Sequence, residues 1–327
     1  MPASCNVLLS SAGRRVALLH IWRQALRHLG LRGEVLATDM SPCSAAFHAA
    51  DRAFRVPPCS SDDFVPRLLE ICAAHDVRVI VPTIDTELPA LAEARDDFTS
   101  IGTSVLVSSP STVEIGYDKQ RTHAWLTKNG LSTVEQAQVA DLVTGGVSLA
   151  MPLIIKPRRG SSSAGVVRVD SLSELGADRD HDIAQTVAPG VEYTVDVLLN
   201  RSGKCISAVA RRRLEVRAGE VSKGITVRDD RICGLAQQVA EALPGGYGVL
   251  NIQIFCEDAE RIPRVIEFNA RFGGGYPLSW QAGAQFPCWL LEEILGMAST
   301  AHDHWEDGLT MLRYDEAVFV KRSEAGL

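Results

Sequence analysis

The sequence predicts a parallel-sheet α/β unit followed by an α+β unit, and three observations carry that expectation. Short apolar runs alternate with helical patterns over the first hundred residues. From Met151 onward strand-like runs dominate and helices are set aside. The chain has 327 residues, 46% of them hydrophobic, which is apolar material for about two cores.

The alternation can be followed element by element. Residues 6–10 read as a buried strand, and residues 16–29 as a helix stopped by Gly30. Residues 34–39 form a second strand ending at Ser41-Pro42, and 51–56 a third before Pro57-Pro58. A helix over 64–75 and a strand over 77–82 follow. Residues 111–130 read as one helical segment carrying Asp118-Lys119. Strands are then expected over 152–157, 165–169, 191–198 and 205–210. A helix over 230–243 precedes strands over 248–256 and 262–269.

Composition excludes several classes of function. Charged residues are 22% of the chain, which rules out a disordered or collagen-like polymer. Thirty-three Lys and Arg against forty Asp and Glu, with no long single-sign block, exclude a general electrostatic grip on nucleic acid. A local anion pocket remains compatible with that balance. No apolar run approaches the roughly 18 residues of a membrane span, and residues 1–10 lack a basic stretch before their apolar run. The eight cysteines are scattered without a CxxC pair. The expectation is a soluble, cytoplasmic protein with neither membrane nor nucleic-acid partners.

Chemistry concentrates in three places. In Val265-Ile266-Glu267-Phe268-Asn269, Glu267 and Asn269 sit two apart on one strand face, with Phe268 and Ile266 turned to the core. Gln253 shares that polar face on the preceding strand. One carboxylate and two amides suit a hard, oxygen-liking cation holding phosphates; an exposed polar hairpin face is the alternative. Arg271 and Gly273-Gly274-Gly275 follow, an arginine suited to phosphoryl charge and glycines that bring backbone close to a ligand. The second place is Lys156-Pro157-Arg158-Arg159-Gly160-Ser161-Ser162-Ser163-Ala164-Gly165, either a phosphate-contacting loop or a solvent loop. It is not the Walker pattern, whose lysine follows its loop. The third is the apolar connector from Gln185 through Val187 and Ala188 to Glu192, suited to a purine edge and ribose hydroxyls.

Together and in this order, these motifs resemble the ATP-grasp superfamily from about Asp118 to Leu295. The pattern is similar to single-copy enzymes that look like one half of the carbamoyl-phosphate synthase large subunit, including the pyrrolysine-biosynthesis ligase and antibiotic-pathway amide ligases. The resemblance implies an N-terminal Rossmann-like pre-ATP-grasp domain over 1–110, a small lid subdomain over 111–185, and a C-terminal subdomain over 186–327. It implies that Lys119, Lys156, Gly160, Ser161, Ser162, Ser163, Gln185, Val187, Ala188 and Glu192 bind ATP. Gln253, Glu267 and Asn269 would hold Mg²⁺, with Mn²⁺ as a substitute, and Arg271, Lys156 and Lys223 would carry the chemistry. Position 185 is often glutamate in the family and is glutamine here.

The implied activity is ADP-forming ligation of a small carboxylate to an amine through an acyl phosphate. Carboxylation, carbamate phosphorylation and a non-catalytic nucleotide-binding module are the alternatives. A homodimer is left open. Arg211 and Arg213 correspond to a variable active-site hairpin, as carboxylate grips or as a solvated basic strand. Gly273 and Gly274 would approach substrate. Parallel sheets bind ligands at the carboxyl ends of their strands. Arg14 and Arg15, and Asp85 and Glu87, are therefore expected to face a zwitterionic substrate, with helix capping the rival role for Asp85.

Overall fold

The computed structural model describes residues 4–160, 165–176, 178–217, 219–257 and 262–325. Ser161, Ser162 and Ser163 lie outside the described residues.

The first unit is a five-stranded sheet in the order β3-β2-β1-β4-β5, every neighbouring pair parallel. Its strands are β1 (Asn6–Ser10), β2 (Val35–Asp39), β3 (Arg52–Arg55), β4 (Val77–Pro82) and β5 (Ser104–Val105). Helices α1 (Val16–His28), α2 (Ala45–Ala49), α3 (Phe64–Ala74), α4 (Leu88–Glu93) and α5 (Arg95–Ser100) cover it. Leu8, Leu36 and Ile80 are buried on one face, and Val7, Leu9, Val79 and Val81 on the other. Two-sided burial explains why these strands read as continuous apolar runs. The strand order reverses between β1 and β4, so the loops after these two strands flank one crevice.

Residues 111–130 were expected as one helix and form two, α6 (Pro110–Tyr117) and α7 (Lys119–Lys128). Asp118 causes the break. Its backbone is extended (φ −124°, ψ 109°), and its carboxylate caps α7 by accepting from the N–H groups of Gln120 and Arg121 at 3.0 and 3.3 Å.

A four-stranded antiparallel sheet follows, in the order β6-β9-β7-β8: β6 (Gln136–Gln138), β7 (Leu153–Pro157), β8 (Val167–Val169) and β9 (Asp182–Thr186). With α8 (Val139–Val143) it encloses a small core of its own around Leu142, Leu153, Ile155 and Ala184.

The third sheet is six-stranded and antiparallel, ordered β14-β13-β10-β11-β12-β15. It comprises β10 (Val191–Leu199), β11 (Cys205–Arg217), β12 (Glu220–Thr226), β13 (Gly248–Cys256), β14 (Arg264–Asn269) and β15 (Thr310–Leu312). Tyr193, Val195 and Val197 join the core beneath α9 (Asp230–Ala242), while Glu192, Thr194 and Asp196 alternate to the opposite face. In β14 one expectation fails. A bulge pairs Gln253 with Glu267 but Ile254 with Val265, so Val265 takes the core position and Ile266 lines a cavity instead.

The first and third sheets share their cores. Trp22 of α1 meets Phe272 edge-on, ring centroids 6.1 Å apart, beside α10 (Tyr276–Gln281) and α11 (Phe286–Leu295). On the other side α6 lies close to β14, because a Cβ on Gly116 would come within 2.8 Å of the Phe268 ring. Among the described residues, no helix is long and apolar enough to cross a membrane.

Candidate active site

A cavity of about 380 Å³ lies between the four-stranded and six-stranded sheets. Its walls include Lys119, Lys156, Gly160, Gln185, Val187, Ala188, Glu192, Gln253 and Glu267. Apart from the three serines outside the described residues, every side chain expected to bind ATP is therefore at one cavity. Asp118 explains how the two lysines meet. Besides capping α7, it accepts from Arg158 Nε at 2.6 Å, and Lys119 N donates to the Arg158 carbonyl at 3.0 Å. These bonds tie the start of α7 to the end of β7.

Lys156 Nζ then lies 3.4 Å and Lys119 Nζ 3.9 Å from Glu267 Oε2. Burial lowers the Lys156 pKa; the Glu267 charge resists that shift and Lys119 adds to it. For Glu267, burial opposes ionisation, but Lys156 and Lys119 outweigh it and hold the carboxyl below its ordinary value. Gln185, nearly fully buried, donates through Nε2 to Gln136 Oε1 at 2.7 Å. Glu192 pairs with Arg213.

A second, smaller cavity of about 100 Å³ adjoins the first and shares Arg213, Gln253 and Glu267 with it. Its other walls include Arg15, Arg211, Glu220, Asn251, Asn269, Arg271 and Gly273 to Gly275. The three glycines have a steric explanation. A Cβ at Gly273 would overlap Asn251 Nδ2, one at Gly275 would overlap Arg211 Nη1, and one at Gly274 would come within 2.7 Å of Arg15 Nη1. Polar side chains thus rest directly on this backbone.

Ion pairs brace the walls. Arg15 lies 3.7 Å and Arg313 3.0 Å from Glu220, and Arg271 Nη2 donates to Asp85 Oδ2 at 2.6 Å. Burial, then the nearby Arg271 charge, lowers the Arg15 pKa. Gln253 lies opposite Glu267, and Asn251 opposite Asn269. The Gln253 amide nitrogen donates to Glu267 Oε1 at 3.0 Å, so offering its oxygen to a cation requires the amide to turn over.

Four expectations need correction. Glu87 does not face substrate: it is 0% exposed, and its carboxylate accepts from Ser10 Oγ, Ser11 Oγ, Thr83 N and Ile84 N at 2.6 to 3.2 Å. Burial raises its pKa, against the pull of those donors. Asp85 neither caps a helix with its side chain nor stands free for an ammonium, being engaged by Arg271. Lys223 is 51% exposed, pairs with Glu215 at 2.6 Å and lines neither cavity. Val221, two positions earlier, does line the second cavity; a shift in the pairing, Glu215 with Lys223 but Val216 with Val221, breaks the alternation between them. Arg14 is 77% exposed at 3.9 Å from Glu220, outside the walls, whereas Arg15 lies within them.

Arg211 does line the second cavity, but Nε and Nη2 are taken by Asp196 at 2.7 and 3.0 Å. That leaves Nη1, the atom against Gly275, facing the glycine backbone.

Two family descriptions match the chain: PylC-like, N-terminal domain, over residues 7–106, and ATP-grasp in the biosynthetic pathway with Ter operon, over residues 180–317. Residues 180–317 thus match an ATP-grasp family, and the chain has the ATP-grasp fold. Solved structures agree on the ATP-grasp fold. The biotin carboxylase domain of Hydrogenobacter thermophilus 2-oxoglutarate carboxylase superposes with a TM-score of 0.71 at 14% identity, covering 93% of this chain and 73% of that one. An L-amino acid ligase from Bacillus licheniformis gives 0.67 at 20% identity, covering 91% and 75%. N5-carboxyaminoimidazole ribonucleotide synthetase from Thermotoga maritima gives 0.66 at 17%, covering 92% and 78%. No curated protein matches the chain.

Within this ATP-grasp architecture, sequence reasoning missed Asp196. It is fully buried and accepts from Arg211, from Asn251 Nδ2 at 2.7 Å and from Ser279 Oγ at 2.6 Å. A lone aspartate inside the apolar run Val195-Asp196-Val197 was the available signal. Glu220 and Thr194 also line the second cavity without having been singled out.

Proposed function

We propose that this chain is an ADP-forming enzyme that phosphorylates a small carboxyl oxyanion and passes the activated carbonyl to nitrogen. The observation that carries the reading is the shared wall. Glu267, Gln253 and Arg213 belong both to the larger cavity and to the small arginine-rich one, so a nucleotide's terminal phosphate and an oxyanion can meet there. Purine and ribose would occupy the wall from Gln185 to Glu192, with phosphates toward Lys119 and Lys156.

In the reaction, a carboxylate oxygen attacks the γ-phosphorus and the bond to ADP breaks. A nitrogen lone pair then attacks the acyl phosphate carbon, phosphate departs and the nitrogen loses a proton. Lys156 and Arg271 would bear on the charge developing at the phosphoryl group, the main catalytic lever in such transfers. The donor set fits Mg²⁺ shared with phosphates rather than caged by protein. It offers one carboxylate and two amides, and no cluster of three or more Asp, Glu, His or Cys among the described residues could hold a metal alone. Gln253, Glu267 and Asn269 would hold the ion, which when bound neutralises phosphate charge; Mn²⁺ takes the same oxygen ligands.

Bicarbonate is the favoured oxyanion, a shift from the amide ligation expected at first. The second cavity is the smaller of the two, at about 100 Å³, and four arginines line it. Carboxylating enzymes also stand among the similar structures, one of them described with MgADP and bicarbonate. An amino-acid carboxylate is the second reading, favoured by the match over residues 7–106 and the likeness to an amino acid ligase. ADP release from MgATP, assayed in bicarbonate-depleted buffer with bicarbonate or amino-acid pairs restored, separates the two. Failure to bind MgATP by calorimetry overturns both.

A further inference from the structure

We propose that Asp85, at the edge of the N-terminal sheet, is a positioning residue that aims Arg271 at the transferring phosphoryl group. The inference rests on the reaction proposed above and adds a role for a residue of the parallel-sheet unit. Arg271 leaves the end of β14 and lines the small cavity. Its guanidinium is held at one corner by Asp85, 186 residues earlier in the chain, at 2.6 Å, and at another by the Phe272 carbonyl at 3.1 Å. The third corner, Nε, is buried without a partner.

Without Asp85, other carboxylates compete for this guanidinium. Glu220 and Glu267 line the same cavity, and the Arg15 charge repels Arg271 from one side. An arginine that collapsed onto Glu267 would neutralise the only carboxylate of the candidate metal set. Asp85 holds it away from that outcome.

The position of Asp85 is itself fixed. It opens the tight turn Asp85–Glu87, and Glu87 pins that turn to β4 through Thr83 N and to the loop after β1 through Ser10 and Ser11. The buried carboxylate at 87 therefore secures the turn, the turn presents Asp85, and Asp85 orients Arg271. Two-point restraint of a guanidinium also reduces the rotamer freedom it must lose when charge develops.

The test measures binding, so it needs no identified substrate. MgADP affinity is measured by calorimetry with and without orthovanadate, which mimics the transferring phosphoryl group, for wild type, Asp85→Ala, Asp85→Asn, Asp85→Glu and Arg271→Gln. Wild type is expected to bind MgADP tighter with vanadate. Arg271→Gln and Asp85→Ala should lose that gain by about tenfold or more while keeping their affinity for MgADP alone. Asp85→Glu, which restores the charge, should recover part of it, and Asp85→Asn serves if the alanine variant does not fold. The double variant should lose no more than Arg271→Gln does. Retention of the full vanadate gain by both Asp85→Ala and Asp85→Asn overturns the inference, as does a wild type that shows no gain. A wild type that does not bind MgADP overturns the proposed function as well.

Discussion

The two cavities that meet at Glu267 are built on different principles. The larger is assembled from neighbouring strands of the two antiparallel sheets, whose polar positions recur at every second residue. The smaller is assembled across the chain: Arg15 reaches Glu220, and Asp85 reaches Arg271. The first rests on the two antiparallel sheets, and the second on ion pairs that tie the parallel-sheet unit to the six-stranded sheet. The larger cavity should therefore tolerate changes in the parallel sheet, and the smaller should not.

Glu267→Gln should break both cavities at once and give the largest effect. It removes the negative charge that Lys156 and Lys119 converge on and the single carboxylate of the metal set. Turnover should fall by about 10³-fold in saturating Mg²⁺ with circular dichroism unchanged. Activity within threefold of wild type would remove the metal assignment.

Lys156→Ala should damage the nucleotide side specifically. Its ammonium would touch phosphate in ground and transition states alike, so KM for ATP should rise and kcat should drop, by ~10-fold or more combined. Gly275→Ala is the matching change on the other side. The added methyl would displace Arg211 from its bonds to Asp196. A loss of about tenfold in kcat/KM for the carboxyl substrate is expected, with MgADP affinity kept. Equal damage to nucleotide binding by Gly275→Ala would show that the two cavities are one mechanical unit.

Legibility in the sequence followed the same division. Gln253, Glu267 and Asn269 were readable as one polar face because alternation sets the face of a strand position, whereas Lys156, Gln185 and Glu192 came from the order of the motifs and the resemblance it carries. Phe268 was placed in the core by the same alternation, while Ile266 was misplaced because a bulge shifts phase by one residue and leaves no mark in composition. The break of residues 111–130 into two helices was written in Asp118, a strong N-cap, but that signal was outweighed by the helical pattern on either side. The pairings of Asp85, Glu87 and Arg211 were not readable. Each carboxylate or arginine finds its partner through tertiary contact, and a charged residue carries no label saying whether it meets a ligand or another side chain.

Glu87 sharpens that last point through stability. Glu87→Ala leaves the buried Thr83 N–H and the Ser10 hydroxyl without their acceptor, a loss of about 1–3 kcal/mol by the usual cost of an unpaired buried group. A lower melting temperature is the expected readout. Glu87→Gln should stay near wild type, because its oxygen can accept from the Thr83 and Ile84 N–H groups while its nitrogen donates to Ser10 and Ser11. A site for a substrate ammonium would need the negative charge, so a raised KM in a stable Glu87→Gln protein would restore the substrate role.

The smallest effect is expected from Lys223→Ala, and its smallness is informative. The resemblance to other ATP-grasp enzymes places a cation of this hairpin at the reacting groups, yet here Lys223 extends to solvent beside Glu215. On β12 the residues that line the second cavity are Glu220 and Val221, and the shifted pairing of Glu215 with Lys223 breaks the alternation between Val221 and Lys223. An exposed lysine paired with one exposed carboxylate contributes little to either stability or charge at a site it does not line, because water screens it. Steady-state constants of Lys223→Ala should stay within about twofold of wild type at physiological salt. A drop of ten-fold or more in kcat alone, with the fold intact, would mean that the hairpin rearranges during turnover to bring Lys223 inward. The charged partner that then opens would be Glu215, and Glu215→Gln, by freeing the lysine, should raise kcat in that case and leave it unchanged otherwise.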